Sequence, residues 1–441
     1  MSAGWTYFFA GQMLVCTEYS AVATVMGFWE INVNPAVWIV MCMVSCYIVN
    51  VVAVKWYGEA EFYMASTKLL LLMGLVLLTF ITMVGGNPSG DAYGFRYWKH
   101  GLVMHPYYTT GNTGRFLGWW SVVRYAAFTV GGPDLIALAA GEIVNPRRTI
   151  PRVARLVFYR LVGFYVIGVF AVGIICSSRD PRLMNALDEG AAGSAASPWV
   201  IGIQNLGITG LPSLINVVIL LSGWSCGNAY LYSSSRTLYS LARDGQAPKF
   251  LMKCTKSGVP IWTVTTVTII SSITFLVASD SAVTVFYWFV SLTTVALILT
   301  YMGMLWTYLG WYYALKVQGI SRKKGETPLP YVAPLAPYSA YFALGVGTVV
   351  SLFIGFDYFH PWDTQGFVTS YFGLAFALVM YGGWKVVMKT KFVKSEDVDL
   401  WGGKAEIDAE CEGWEEGGID ARWRAELARM PVWKRWWERI W

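Results

Sequence analysis

Ala127-Phe128-Thr129-Val130-Gly131-Gly132-Pro133-Asp134-Leu135-Ile136 sits inside an apolar run covering residues 118–143. The run is long enough to cross a bilayer, which takes roughly 20 mostly apolar residues. Its middle does not suit an unbroken helix. Pro133 removes a backbone donor and clashes with the preceding turn, while Gly131 and Gly132 tolerate unwound backbone and close approach. Asp134 follows at once. An acid in mid-membrane is costly and faces a cavity or a partner. Two readings stand. In one, a broken helix frees N–H and C=O groups for a polar ligand, a device that transporters use. In the other, the segment is a proline kink and a neighbouring helix satisfies Asp134.

Working outward, nine further apolar runs flank this one, at residues 4–28, 35–54, 67–84, 158–176, 211–230, 261–279, 283–311, 338–357 and 367–387. Backbone polar groups in lipid must be satisfied internally, and the alternation of a barrel strand is absent, so the runs are helices. The expected fold is all-α, a polytopic membrane helical bundle with about ten transmembrane helices. Composition agrees: 441 residues are 56% hydrophobic and 14% charged, with a mean hydropathy of +0.47. Soluble domains carry about 25% charged residues, so the bilayer is the solvent for most of this chain.

The net charge of +6 does not mark a nucleic-acid partner, because the basic residues fall between apolar runs rather than on one patch. Arg147, Arg148, Arg152 and Arg155 follow the fourth run. Arg236, Arg243, Lys249, Lys253 and Lys256 follow the sixth, and Lys316, Arg322, Lys323 and Lys324 the eighth. Positive loops stay in the cytoplasm, which puts the even loops, both termini and the tail on that side. Residues 1–388 form the membrane domain and 389–441 a cytoplasmic tail. That tail ends in a basic segment with Trp423, Trp433, Trp436, Trp437 and Trp441. The segment either lies on the membrane interface or packs on the protein's cytoplasmic face. No cleavable signal peptide is expected at the start.

Enzyme and metal chemistry find no support. The seven cysteines contain no CxxC pair, the three histidines sit in connecting loops, and no phosphate-cradling Gly-rich loop is present. We expect no metal, no cofactor and no enzymatic activity. Polar residues within the runs are the candidates instead. Glu18, in Cys16-Thr17-Glu18-Tyr19-Ser20, either faces a central cavity or pairs with a buried donor. In Ser222-Gly223-Trp224-Ser225-Cys226-Gly227-Asn228, Gly223 and Gly227 are spaced for close helix packing, while Ser225 and Asn228 are candidates for lining a cavity. Gly345 and Gly347 read as packing glycines.

Several motifs together carry a resemblance. Ala140-Gly141-Glu142-Ile143-Val144-Asn145-Pro146-Arg147-Arg148-Thr149-Ile150-Pro151 resembles the "AGE..NPR..IP" signature of amino-acid permeases. Ser235-Arg236-Thr237-Leu238-Tyr239-Ser240-Leu241-Ala242-Arg243-Asp244-Gly245-Gln246-Ala247-Pro248 is similar to a loop of the same family, and Gly258-Val259-Pro260 follows as it does there. Trp56 through Lys68 resembles the segment before the family's fifth span, and the tail from Asp397 to Asp408 is similar to that of the fungal branch. The family is that of fungal amino-acid permeases, in the amino acid–polyamine–organocation superfamily.

The resemblance implies an inverted-repeat (5+5) permease fold, with Gly4 through Glu30 corresponding to the family's third span and the first two spans absent. It implies proton-coupled import of amino acids across a fungal plasma membrane, with the amino acid, the proton and the lipid bilayer as partners. In that reading the backbone from Val130 through Gly131 and Gly132 to Asp134 binds the polar head of the substrate. Phe128 and Thr129 shape the side-chain pocket, and Glu18 is the proton-coupling candidate. Gly-Gly-Pro-Asp departs from the family's commoner "F.G.E" pattern but keeps the charge. A chain without the first two spans is expected to be poorly stable or inactive alone; its alternative roles are an inactive truncated permease or an amino-acid sensor without net transport.

Overall fold

The computed structural model describes all residues except 1, 30–32, 53, 100–103, 130, 139, 141–142, 144, 189–196, 257, 279–281, 324–328, 330, 334, 419–421, 423–424, 426–427 and 432–441. Val130, Gly141, Glu142, Val144 and the terminal tryptophans Trp423, Trp433, Trp436, Trp437 and Trp441 therefore lie outside the description.

The protein is all-α. In chain order the helices are α1 (Ser2–Met26), α2 (Pro35–Val52), α3 (Val54–Met83), α4 (Gly111–Thr129), α5 (Leu135–Leu138), α6 (Pro146–Ile175) and α7 (Pro181–Asp188). They continue with α8 (Pro198–Asn205), α9 (Leu211–Arg243), α10 (Ile261–Ser271), α11 (Ala282–Val317), α12 (Tyr338–Phe353), α13 (Thr364–Met388) and α14 (Lys404–Glu416). Among the described residues, eight helices are long and apolar enough to cross a membrane. The two other expected spans are α1 and the α4–α5 pair. α1 is rich in polar side chains that it buries against protein, among them Thr6, Gln12, Thr17 and Ser20. The α4–α5 stretch is interrupted after Thr129.

Local signals set several ends. Pro35 opens α2 at a position where its missing N–H costs nothing, and the Asn34 side chain accepts from Ala36 N–H at 2.9 Å. Asp363 caps α13 by accepting from Gln365 N–H at 3.0 Å. Hydroxyls inside the helices are returned to their own backbone: Thr17 donates to the Met13 carbonyl at 2.8 Å and Thr293 to the Phe289 carbonyl at 2.7 Å. This is how threonine and serine are tolerated in an apolar span.

Two expectations about boundaries are corrected. The Ser235–Pro248 motif is not a loop up to Arg243; it continues α9 as helix. Arg147, Arg152 and Arg155 likewise lie on α6 rather than in a connection. Hydropathy marks where a helix leaves the apolar layer, not where its hydrogen-bond ladder stops.

By their contacts the residues divide into two compact units. The first comprises Met1–Thr129, Gly163–Tyr301 and Gly347–Lys389, the second Val130–Val162, Met302–Val346 and Thr390–Trp441. In the first unit, α1 is the central element and buries fifteen of its 25 residues, on every side of the helix. It lies against α9 through small residues. A Cβ added at Gly11 would stand 2.6 Å from Ser234 Oγ, and one at Gly227 would stand 3.1 Å from the Tyr19 ring. A Cβ at Gly223 would touch Val22 at 3.5 Å. The Gly223/Gly227 pair therefore packs as its spacing predicts. Gln12 of α1 donates to Ser271 Oγ of α10 at 2.7 Å and to the Val267 carbonyl at 3.3 Å.

In the second unit, Leu309, Ala340 and Leu344 form a small apolar cluster. The tail is tied to it. Asp408 of α14 accepts from Arg147 and from Lys404, and the Gln318 amide donates to the Val398 carbonyl at 2.9 Å. Hydrogen bonds from Lys404 and then Arg147 hold the Asp408 carboxyl below its ordinary value. A Cβ at Gly345 would meet open space, so the packing expected there is not made.

Candidate functional site

The interruption after α4 is a break rather than a bend. Helical hydrogen bonding ends at Thr129, residues 131–134 are non-helical, and α5 is a single turn. Gly132 has a φ of +117°, a conformation that a side chain would strain. Its N–H donates to Asp134 Oδ1 at 3.2 Å. Leu135 N–H then donates to the Gly132 carbonyl at 3.0 Å and Ala137 N–H to the Asp134 carbonyl at 2.9 Å. Glycine supplies the φ, proline ends the ladder and the aspartate organises the turn from its own side chain. An interrupted ladder leaves terminal N–H and C=O groups without intrahelical partners, the groups that a polar ligand uses.

Phe128 and Thr129, the last two residues of α4, belong to the first unit. Phe128 packs against a cluster of Ala10, Leu14, Ala296 and Leu297. Thr129 Oγ1 donates back to the Ala126 carbonyl at 2.8 Å. Gly131, Gly132 and Asp134 belong to the second unit, and Val130 lies outside the described residues.

A second polar group lies wholly in the first unit, where α1, α3 and α9 supply side chains. Lys68 of α3 donates from its ammonium to Ser225 Oγ at 2.8 Å and approaches Cys226 Sγ at 3.5 Å. Ser225 in turn donates to Glu61 Oε1 at 2.7 Å, and Lys68 Nζ stands 3.8 Å from that same oxygen. Glu18 joins Lys68, Gly223 and Cys226 in lining a cavity of about 330 Å³. A carboxylate, an ammonium and a second carboxylate thus share one intramembrane neighbourhood, where isolated charges are unfavourable and pair with one another. Glu18 lines this cavity beside Lys68.

Asn228 lies one turn beyond Ser225 with a different attachment. Asn50 of α2 donates to its Oδ1 at 2.7 Å and to its carbonyl at 3.4 Å. Its side-chain oxygen thus joins α2 and α9. Glu61 was missed as a site residue because it fell in the connection read before the 67–84 run, and Lys68 because it stood at the start of that run. The available signal was their separation of seven residues, which on a helix places both on one face.

Comparison with known proteins agrees with this architecture. Residues 1–396 match the amino acid permease family. A proline-specific permease of Emericella nidulans is 36% identical, over 100% of this chain and 77% of that protein. A probable proline-specific permease of Schizosaccharomyces pombe is 39% identical over 92% of this chain and 74% of its own length. A dicarboxylic amino acid permease of Saccharomyces cerevisiae is 37% identical over 93% of this chain and 67% of its own. A helix break after α4, eight helices long and apolar enough to cross a membrane, an intramembrane charge group and a match over nine-tenths of the chain converge: this multi-pass membrane protein belongs to the amino acid permease family, a family of transporters rather than enzymes.

Proposed function

We propose that the chain imports amino acids across the plasma membrane, coupled to protons, by alternating access, with both termini and the 389–441 tail in the cytoplasm. The observation that carries the reading is the helix break at Gly131–Asp134, with Gly132 at φ +117° and its N–H on Asp134. In this reading the backbone from Val130 to Asp134 holds the substrate's ammonium and carboxylate. Phe128 and Thr129 bound its side chain, and Ser225 and Asn228 contribute to the polar lining. The relatives' names, proline-specific and dicarboxylic, set the substrates to try.

Glu18 is the proton carrier of the proposal. Its support is positional: it borders the 330 Å³ cavity beside the Lys68 ammonium, and a carboxyl held next to a cation within the membrane marks a proton or ion path.

The test is uptake of labelled proline, glutamate and aspartate by cells that express the chain and lack their own permeases, compared with Gly132→Val and Glu18→Gln. Saturable uptake is expected for the parent chain. Gly132→Val should abolish it while surface expression persists, because valine cannot hold the left-handed turn. Glu18→Gln should flatten its dependence on external pH. Absence of uptake by a correctly localised parent chain sinks the transport reading in favour of the inactive form or the sensor.

A further inference from the structure

Within the first unit, Arg124 of α4 is joined to Asp357, in the short turn Phe356–Tyr358 after α12. Its Nη1 donates to Oδ1 at 2.7 Å and Oδ2 at 2.9 Å, and to the Ile354 carbonyl at 3.3 Å. The two side chains are 11% and 7% exposed. The guanidinium carbon lies over the Tyr125 ring at 4.9 Å and the Tyr358 ring at 5.7 Å. Asp357 also accepts from Tyr107 at 2.8 Å. The arginine is thus fixed in place by an ion pair and two aromatic faces.

That anchoring leaves part of the guanidinium unused. All bonds to Asp357 and Ile354 come from Nη1, and Nη2 has only a long bond of 3.4 Å to the Tyr125 hydroxyl. Nε makes none among the described residues. The Nε–Nη2 edge is one of the two forks with which arginine grips a carboxylate through paired N–H bonds. Arg124 lines a cavity of about 160 Å³ together with Phe128, Tyr287, Ser291, Tyr358 and Ser370. The Ser370 side chain is 3% exposed, and neither serine hydroxyl has a hydrogen-bond partner among the described residues. A pre-fixed cation, two spare hydroxyls and a ring of aromatic faces make a polar end and an apolar end in one small space. Five waters' worth of room, at about 30 Å³ each, suits a small amino acid.

The geometry points to a separate binding site for the substrate in this cavity, one turn or so before the helix break, where Arg124 takes the free α-carboxylate of an amino acid. The ammonium is received by the hydroxyls of Ser291 and Ser370, and the side chain lies among Phe128, Tyr287 and Tyr358. Asp357 keeps Arg124 charged and aimed but does not itself touch the ligand. Phe128 belongs both to this cavity and to the last turn of α4, so a substrate here is bounded by the end of that helix. The inference rests on the amino-acid transport reading and adds a second station to it.

The experiment is equilibrium binding of tritiated proline, glutamate and aspartate to the purified full chain in nanodiscs, with proline methyl ester as competitor. The parent chain is expected to bind two ligands, and the ester to compete at least tenfold more weakly than proline at one of them. Arg124→Gln combined with Asp357→Asn removes the site without stranding either charge, and should lose that ligand. Tyr287→Trp, which fills the cavity and leaves the ion pair intact, should lose it too. A single ligand that both variants lose also supports the Arg124 site and removes the broken segment as a separate one. Binding left unchanged by both variants overturns the inference while the transport reading stands. No binding of any of the three amino acids by the folded parent chain overturns the transport reading itself, and the inference with it.

Discussion

Lys68 donates to Ser225 Oγ at 2.8 Å, joining α3 to α9, and Ser225 passes the bond to Glu61 Oε1 at 2.7 Å. The serine is a bridge between an ammonium and a carboxylate that stand 3.8 Å apart. Substituting Lys68→Met leaves Glu61 without its cation, while Glu61 Oε2 already has no partner. Leaving a buried polar group unpaired costs about 1–3 kcal/mol. We expect Lys68→Met to lower the thermal midpoint in detergent, and Lys68→Met with Glu61→Gln to recover most of the loss. A double variant less stable than Lys68→Met alone would refute the pairing.

Gly11 lies where α1 packs against α9. Alanine there places Cβ 2.6 Å from Ser234 Oγ and 3.7 Å from its Cβ, inside the range where something must move. Overpacking of this kind costs about 1–3 kcal/mol. Gly11→Ala should destabilise the fold, and adding Ser234→Gly should restore it. Equal midpoints for Gly11→Ala and the parent would contradict the close approach.

The amide of Asn50 reaches Asn228 Oδ1 at 2.7 Å. Interhelical bonds of this type in membranes average about 0.6 kcal/mol, reaching about 1.7. A double-mutant cycle with Asn50→Ala and Asn228→Ala should return a coupling within that span. Zero coupling would mean the bond is not made in the membrane.

The docking of α14 depends on pH through Asp408. Lys404 and Arg147 depress its folded pKa, so the contribution is present above the unfolded carboxylate value and is lost as pH falls through the folded one. Hydrogen exchange of residues 404–416 should therefore accelerate on acidification, and Asp408→Asn should show fast exchange at every pH. Acid-insensitive protection in the parent chain would contradict the clamp.

Much of this was legible in the sequence because the bilayer imposes one rule, that apolar runs become helices, and because Gly131-Gly132-Pro133 has to kink or break the helix that carries it. The GxxxG pair was legible for the same reason: Gly223 and Gly227 share a face and only close packing uses that. What escaped was long-range. Nothing local shows that Asn228 faces Asn50, 178 residues away, or that Arg124 meets Asp357, 233 residues away. Glu61 escaped because charged residues at the rim of an apolar run lower its hydropathy and hide the first turns of α3, which begins at Val54.

The most direct test of the account is initial-rate uptake of labelled proline, glutamate and aspartate by permease-deficient cells expressing this chain, at acidic and neutral external pH. The account predicts saturable uptake of at least one of them, faster at acidic pH, that Gly132→Val eliminates without loss of surface protein. Surface-localised chain with uptake no greater than empty cells for all three would contradict it.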